Sequence, residues 1–226
     1  MRFITVTPKE SEKAKGLVVV IDVLRAFSTC CYLFASGAKE IRTVAKPEEA
    51  FALKKRDNDY ILVGEKNGIR IQGFDYGNSP YEVKDKKFFK KTIIMKTSLG
   101  TSTLYALKNI QNVITGSFVN AGAIVNFIKK TNPDFTTFLC TDDKYLDNED
   151  FLCALYIKDC IEGKKVNFKK INNFLMKHPS GLKYLVEPLA KYAKKDFHLC
   201  MDLNRFDFII KIQKKNNEMI LKKFNL

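Results

Sequence analysis

An acidic and a basic residue stand close together where a continuous apolar run ends. Asp22 and Arg25 follow "GLVVVI" (16–21), whose β-branched residues predict a strand buried on both faces. A carboxylate beside the positive end of a following helix could bind Mg²⁺ or act as a nucleophile, and a guanidinium could bind phosphate or sulfonate. The two side chains could instead simply pair with each other. We therefore treat both as candidate catalytic residues.

A second turn of similar character follows the predicted strand "KTIIMK" (91–96). Its backbone N–H groups would suit an oxyanion, although N-capping of the next helix explains the same residues equally well. The candidate substrate ligands in this turn are Ser98, Gly100, Thr101 and Ser102. Lys96 ends the apolar strand, and because a buried ammonium needs an anionic partner, it is a third candidate catalytic residue.

A glycine-rich loop, ending in "GFDYGNSP" (73–80), separates these two regions. It carries Glu65, Asp75, Asn78 and Ser79 among several glycines. Oxygen ligands on such a loop can complete a hard-cation site whose other positions are water and substrate phosphate. A polar loop of this length is more often functional than not, although solvation alone could explain it.

Other acidic and histidine residues narrow the chemistry. Glu149 and Asp150 begin a predicted helix, where acids favour the helix dipole in any case. His178 and His198 are the only histidines, too few for a dinuclear metallophosphatase, and the RHG stretch of a two-histidine phosphatase is absent. The lysine-bearing phosphate loop GxxxxGK[ST] is also missing.

The order of predicted elements indicates an α/β protein with three layers, α/β/α, around a largely parallel or mixed sheet. Apolar strand-like runs alternate with helical patterns from residue 16 to residue 163, and residues 166–203 are mostly helical before the strand-like "FDFIIKI". Ligands bind at the carboxyl ends of strands in such sheets.

An offset of 74 residues aligns "VVIDVLRAFST" with "IIMKTSLGTST". The chain could therefore contain two similar α/β halves with a cleft between them, although a shared α/β rhythm explains the match nearly as well. We predict one domain over residues 1–226, with 1–90 and 91–226 as candidate lobes.

The composition is strongly basic, and its positive field would attract a small anionic substrate. The formal net charge is +14, but lysine pairs recur along the whole chain, as expected of solvated surfaces. No zinc finger, RNP-type motif or basic-region heptad accompanies them, so we expect no specific nucleic-acid partner.

The cytoplasm is the expected location. The apolar runs are shorter than the ~20 residues of a membrane-spanning helix, and the N-terminal segment lacks a signal-peptide core. The six cysteines lie in apolar segments without CxxC spacing, as buried thiols do. A homodimer is a candidate assembly.

Several motifs, taken in order, resemble the 2-phosphosulfolactate phosphatase family over nearly the whole chain. "IDVLRAFST" resembles the family's IDVLRATST signature, "VGEKNG" its GE-x-x-G loop and "GFDYGNSP" its GFDxGNSP loop. "TSLGTS" stands in place of TTNGT, "GSFVNAGAI" resembles an S-x-x-NA segment, and "NEDFLCALYI" resembles ED-x-x-CAG.

The resemblance implies a Mg²⁺-dependent hydrolase that converts 2-phospho-3-sulfolactate to 3-sulfolactate and phosphate. It places Asp22, Glu65 and Asp75 around the metal. It places Arg25, Lys96, Asn78, Thr101 and Asn120 toward the phosphate and sulfonate. It also implies that "GFDYGNSP" is an active-site loop that helps to hold the metal and the doubly anionic substrate. Leu99 replaces the family's Asn, and "CTDDKYLDNED" (140–150) departs from its glycine-containing segment.

Two other functions stay open. In a haloacid-dehalogenase-like phosphatase Asp22 would be the nucleophile, but Leu24 occupies the place of the general acid. Alternatively, the chain could be a non-catalytic member of the family that acts as a binding protein.

Overall fold

Strands and helices alternate through most of the chain, as the sequence predicts. The structure is a computed structural model that describes residues 1–107, 111–186, 191–215 and 218–226. The helices are α1 (Ala26–Ala35), α2 (Pro47–Arg56), α3 (Pro80–Val83), α4 (Gly100–Ala106), α5 (Ala121–Thr131), α6 (Glu149–Ile161), α7 (Phe168–Leu175), α8 (Pro179–Leu185) and α9 (Ala193–Cys200). The strands are β1 (Arg2–Val6), β2 (Leu17–Ile21), β3 (Glu40–Thr43), β4 (Ile61–Lys66), β5 (Ile69–Arg70), β6 (Thr92–Lys96), β7 (Val113–Gly116), β8 (Phe135–Cys140), β9 (Phe208–Lys215) and β10 (Glu218–Asn225).

Within the described ranges, ten strands form one mixed sheet in the order β1-β8-β2-β7-β9-β10-β3-β6-β4-β5. Strands β1, β8, β2 and β7 form one parallel group, and β3, β6 and β4 form another. The antiparallel hairpin β9–β10 joins the two groups at the centre of the sheet. The predicted α/β class is thus confirmed.

Helix α1 lies against both parallel groups. Its sequence "AFSTCCYLFA" has no charged residue, and residues Ala26–Phe34 are all buried. It packs in one core with Val20 of β2, Ile41 of β3 and Met95 of β6. Alternate residues of β2, such as Val19 and Ile21, face a second core formed with helices α5 and α6. Helices therefore cover both faces of the sheet.

The offset of 74 residues corresponds to a repeat in the structure. It carries β2 onto β6, α1 onto α4, β3 onto β7, α2 onto α5 and β4 onto β8, within one or two residues at most element ends. The sheet order is symmetric under the same exchange. The equivalent residues Ala26 and Gly100 touch, since a Cβ built on Gly100 would lie 2.6 Å from the Cβ of Ala26. The N-termini of α1 and α4 therefore meet at the centre of the repeat.

Three other predictions concern the full extent of two helices, the division into domains and the absence of a membrane-spanning helix. Parts of the predicted helices at residues 108–109 and 187–190 lie outside the described residues. The single domain and the candidate lobes 1–90 and 91–226 stay predictions. No helix within the described ranges is both long and apolar enough to cross a membrane.

Candidate active site

A cavity of about 340 Å³ lies where the carboxyl ends of β2, β8, β4 and β6 come together, and we call it the first cavity. Five carboxylates and two basic side chains line it, although the whole chain carries a net charge of +14. These ionisable residues are Asp22, Arg25, Glu65, Asp142, Glu149, Asp150 and Lys183. The other lining residues are Leu24, Asn67, Gly68, Asn78, Thr97, Ser98, Leu99, Thr141, Tyr184 and Ala193.

Three of the carboxylates are buried close together. Asp22 follows β2, and its Oδ1 accepts a hydrogen bond of 2.8 Å from the backbone N–H of Ala26 in α1. Asp150 accepts hydrogen bonds from the backbone N–H groups of Val23 and Thr141 and from the Thr141 hydroxyl. Glu149 begins α6 beside it, and Glu149 Oε2 has no hydrogen-bond partner among the described residues.

Burial and mutual repulsion raise the pKa values of these three groups. Burial raises the pKa of Asp22 to about 7, and the charges of Glu149 and Glu65 act in the same direction. Burial also raises the pKa of Glu149 above its ordinary value. The pKa of Asp150 lies well above its usual range because of burial and the charges of Glu149 and Asp22. Without a bound cation, the cluster therefore tends to retain protons.

Glu65 fixes two loops relative to each other. Its carboxylate accepts hydrogen bonds from the backbone N–H of Gly68 (2.7 Å) and from the backbone N–H and hydroxyl of Ser98 (2.5 and 3.0 Å). Both carboxylate oxygens are thus engaged, and the β4–β5 turn is tied to the turn that follows β6. Ser98 lines the cavity but uses its hydroxyl proton in this contact.

Arg25 is held by a buried acidic residue from the other end of the chain. Its Nη1 donates to Oδ2 of Asp196 in α9 at 2.6 Å, and its Nη2 donates to the carbonyl of Gly68 at 3.1 Å. The side chains are 5% and 0% exposed. Asp196 Oδ1 also accepts hydrogen bonds from the Ser79 hydroxyl and the Tyr81 backbone N–H. Asp196 therefore joins α9, Arg25 and the glycine-rich loop.

Helix α8 brings Lys183 and Tyr184 to the cavity. Its N-terminus is capped by His178, whose Nδ1 accepts a hydrogen bond from the backbone N–H of Ser180. The Tyr184 hydroxyl donates to the carbonyl of Leu24 at 3.0 Å, so α8 is tied to the segment that follows β2. Burial raises the pKa of Tyr184 well above its ordinary value, which keeps this hydroxyl protonated.

The structure brings together several of the residues that the sequence singles out. Asp22, Arg25, Glu65, Asn78 and Ser98 all line the first cavity. Asp22 and Arg25 do not form the ion pair that the sequence left open, because Arg25 pairs with Asp196 instead.

Three other candidate residues belong to the turn that follows β6, and they do not line the first cavity. Gly100 packs against Asp22, since an added Cβ would lie 2.7 Å from Asp22 Oδ2. The Thr101 hydroxyl accepts from the Thr97 N–H and donates to the Thr97 carbonyl, so it closes the turn. Ser102 donates to the Ser98 carbonyl. Their contacts are those of a helix start.

Lys96, Asp75 and Asn120 do not line the first cavity either, and Ser79 lines a second cavity instead. Lys96 is half-buried rather than buried, and strand alternation places it on the sheet face of Ile94. Asp75 accepts the Leu62 backbone N–H at 2.7 Å and lies 3.8 Å from Lys54 Nζ. Asn120 is fully buried, with hydrogen bonds to the backbone of Ser117 and Phe208.

Lys183, Tyr184 and Asp196 were missed as site residues, and Glu149 and Asp150 were considered without being chosen. The stretches "HPSGLKYL" (178–185) and "KKDFHLCMDL" (194–203) resemble the closing region of the family. No spacing connects them to Asp22, because the link is a contact across the fold. A weak signal existed for Asp196, which stands among apolar and basic residues in "KKDFHLC".

The donor atoms fit a hard divalent cation. Carboxylate and amide oxygens are the ligands that Mg²⁺ prefers, and Mg²⁺ usually takes one or two protein carboxylates together with water and phosphate. Glu149 Oε2 and Asn78 Oδ1 are buried without a partner in the described part of the chain, and both residues line the cavity. Across those same residues, no three His, Cys, Asp or Glu side chains form a complete metal site by themselves.

Comparison with known proteins identifies the family. The family model described as 2-phosphosulpholactate phosphatase matches residues 4–215. The chain belongs to the 2-phosphosulfolactate phosphatase family. This confirms the resemblance drawn from the ordered motifs, and it makes the chain a member of a family of phosphoric monoester hydrolases.

Three relatives in this family illustrate the range of similarity, each named a probable 2-phosphosulfolactate phosphatase. The protein of Carboxydothermus hydrogenoformans is 41% identical over 150 residues, which is 66% of this chain and 62% of that protein's own length, less than two thirds. That of Caldanaerobacter subterraneus is 33% identical over 212 residues, 87% of each chain. That of Clostridium perfringens is 28% identical over 226 residues, 93% of this chain and 91% of its own.

The carboxylate cluster predicts a pH-dependent stability in EDTA. The pKa of Asp22 is raised from 3.8 to about 7, so the native state binds more protons than the unfolded state between these values. We expect the melting temperature to fall as the pH rises from about 5 to about 8. Asp22→Asn, which keeps an acceptor for the Ala26 N–H, flattens the fall.

Thermal melts of the two proteins across this pH range provide the check. Asp143→Asn is the control, because Asp143 pairs with Lys9 at the surface, and it should keep the wild-type fall. Equal slopes for wild type and Asp22→Asn would contradict the assignment of the raised pKa to Asp22.

The Arg25–Asp196 pair predicts a large effect of a nearly isosteric change. Asp196→Asn leaves a buried guanidinium without its counter-charge, so the free energy of unfolding should fall by about 3 kcal/mol. Urea denaturation measures this loss. Asp202→Asn removes an exposed Asp–Arg contact, 3.9 Å from Arg205, and should cost at most about 1 kcal/mol. If the two variants lost similar free energy of unfolding, the large contribution assigned to the buried Arg25–Asp196 pair would be wrong.

Proposed function

We propose that this chain is a Mg²⁺-dependent phosphatase that hydrolyses the phosphate monoester of 2-phospho-3-sulfolactate to give 3-sulfolactate and phosphate. The observation that carries the proposal is the pair Asp22 and Glu149, two buried carboxylates at the first cavity with raised pKa values. Family membership and the names of the relatives support the reaction class.

Charge explains why a cation is needed. A phosphate ester with a further acidic group is a polyanion, and the first cavity presents five carboxylates against Arg25 and Lys183. Those carboxylates that are ionised would repel this substrate, and a bound cation would neutralise them. Asp22 and Glu149 would hold Mg²⁺, with Asn78 Oδ1 near enough to the cavity to accept from a bound water. When bound, Mg²⁺ supplies charge neutralisation at the phosphoryl oxygens and lowers the pKa of water.

The residues of the chain would bind and orient the phosphoryl group. Arg25 has five N–H donors, of which the contacts with Asp196 and Gly68 use two, so three remain for phosphate oxygens. Lys183 adds a second positive charge from α8. Because Asp196 and the Gly68 carbonyl fix the guanidinium, its donors are oriented before substrate arrives.

Asp22 accepts the Ala26 N–H, so its second oxygen, Oδ2, is the one that packs against Gly100. A side chain at position 100 would displace Oδ2. The close approach of α1 and α4 thus sets the position of the carboxylate on which the proposal depends.

The proposal predicts phosphate release that requires Mg²⁺ and Asp22. Purified protein would be assayed with 2-phosphosulfolactate, phospholactate and ethyl phosphate, in Mg²⁺ and in EDTA. We expect release to be strongest on the sulfonated ester, to stop in EDTA, and to fall at least about 100-fold in Asp22→Asn and in Glu149→Gln. Asp143→Asn should retain wild-type activity.

Three outcomes would contradict this account. Release that persists in EDTA would exclude the metal requirement. Accumulation of an aspartyl-phosphate on Asp22 in a single turnover would indicate instead the haloacid-dehalogenase-like reaction, with Asp22 as nucleophile. No release from any ester would favour a non-catalytic member of the family.

A further inference from the structure

A second cavity of about 320 Å³ lies on the other side of Arg25. It shares Arg25, Gly68 and Asn78 with the first cavity. The hydrogen bond from Arg25 Nη2 to the Gly68 carbonyl lies in the shared wall, so one guanidinium faces both spaces. A ligand bound at Arg25 can therefore extend from one cavity toward the other.

The charge of the second cavity is opposite in character to that of the first. Its basic residues are Arg25, Arg70 and Lys191, and its acidic residues are Glu82 and Asp196. Both acids already accept hydrogen bonds from protein donors. Asp196 binds Arg25, Ser79 and the Tyr81 N–H, and Glu82 Oε2 accepts the Gly77 N–H at 2.6 Å.

Arg70 and Lys191 are by contrast available. Within the described ranges, neither has a carboxylate within ion-pair distance. The stem of Arg70 lies close to the loop, since a Cβ built on Gly77 would be in ordinary contact with Arg70 Cβ at 3.5 Å.

Asn78 adds a polar group to the shared wall. It is 5% exposed, and its Oδ1 has no partner among the described residues. Rotation of the amide exchanges its oxygen and nitrogen, so the same side chain can accept from water or donate to an anion. A buried amide in this position favours a polar ligand at the junction of the two cavities.

We propose that the second cavity binds an anionic group of the substrate that is not cleaved, and that Arg70 and Lys191 select it. This inference rests on the proposed phosphatase function for the position of the phosphate in the first cavity. The substrate class is then a phosphate monoester that carries a further anion, a sulfonate or a carboxylate, a short chain away. With Mg²⁺ and the phosphate in the first cavity, the basic residues of the second cavity would attract that second anion.

Arg70→Gln and Lys191→Gln test the selection by kinetics. For 2-phosphosulfolactate, each variant should raise KM about tenfold and leave kcat unchanged, because the lost contact is to a group that does not react. For ethyl phosphate, which has no second anion, KM should not change. Arg56→Gln, at an exposed arginine that ends α2 and lines neither cavity, is the matched control and should behave as wild type. Equal changes in KM for the two esters, or no change, would overturn the proposal.

A binding experiment separates this inference from the proposed reaction. 3-Sulfolactate has the second anion and no phosphate, so calorimetric titration measures the second cavity without turnover. We expect binding to wild type and to Arg56→Gln, and about tenfold weaker binding to Arg70→Gln. If the protein shows this binding pattern but hydrolyses no ester, the inference of a second-anion site stands and the proposed reaction fails. No binding to wild type, or equal binding to Arg70→Gln, would overturn the site even if hydrolysis is found.

Discussion

Repulsion among buried carboxylates is the constraint on which this site depends. Asp22, Glu149 and Asp150 lie together at the ends of β2 and β8 and at the start of α6, and burial raises the pKa of each. Asp150 is stabilised by two backbone N–H groups and a hydroxyl, and Asp22 by one backbone N–H. Glu149 Oε2 has no such partner among the residues that the structure describes. A divalent cation would relieve the repulsion and give the cluster a function.

The basic part of the site depends on a contact between distant segments. Asp196 comes from α9, and its ion pair with Arg25 also holds the glycine-rich loop through Ser79 and Tyr81. Arg25 lies between an acidic and a basic cavity because of this contact. The loop "GFDYGNSP" therefore acts in the structure as the support of Arg25 and as the source of Asn78, rather than as a source of acidic ligands, since Asp75 lies elsewhere.

The sequence predicts the fold better than it predicts the site. The apolar strands, the helical C-terminal region and the offset of 74 residues follow from local periodicity, which packing did not override. For the central hairpin, the sequence predicted a strand in the region of β9 but not β10. It did not place the hairpin in the sheet, because strand order depends on contacts distant in sequence. Asp22, Arg25 and Glu65 could be found because they follow or end recognisable strands. Lys96 also ends a recognisable strand, but it shares the strand face of Ile94 and does not line the first cavity. Asp196 had only a weak signal in the sequence, because only the fold joins it to Arg25.

The location of a bound divalent cation tests the central claim most directly. A crystal soaked in Mn²⁺, a substitute for Mg²⁺ with measurable anomalous scattering, would show the position of the ion in an anomalous difference map. The account predicts a peak in the first cavity, in contact with carboxylate oxygens of both Asp22 and Glu149. A peak beside Glu65 or Asp75 without Asp22, or the absence of any peak in the first cavity, would contradict it.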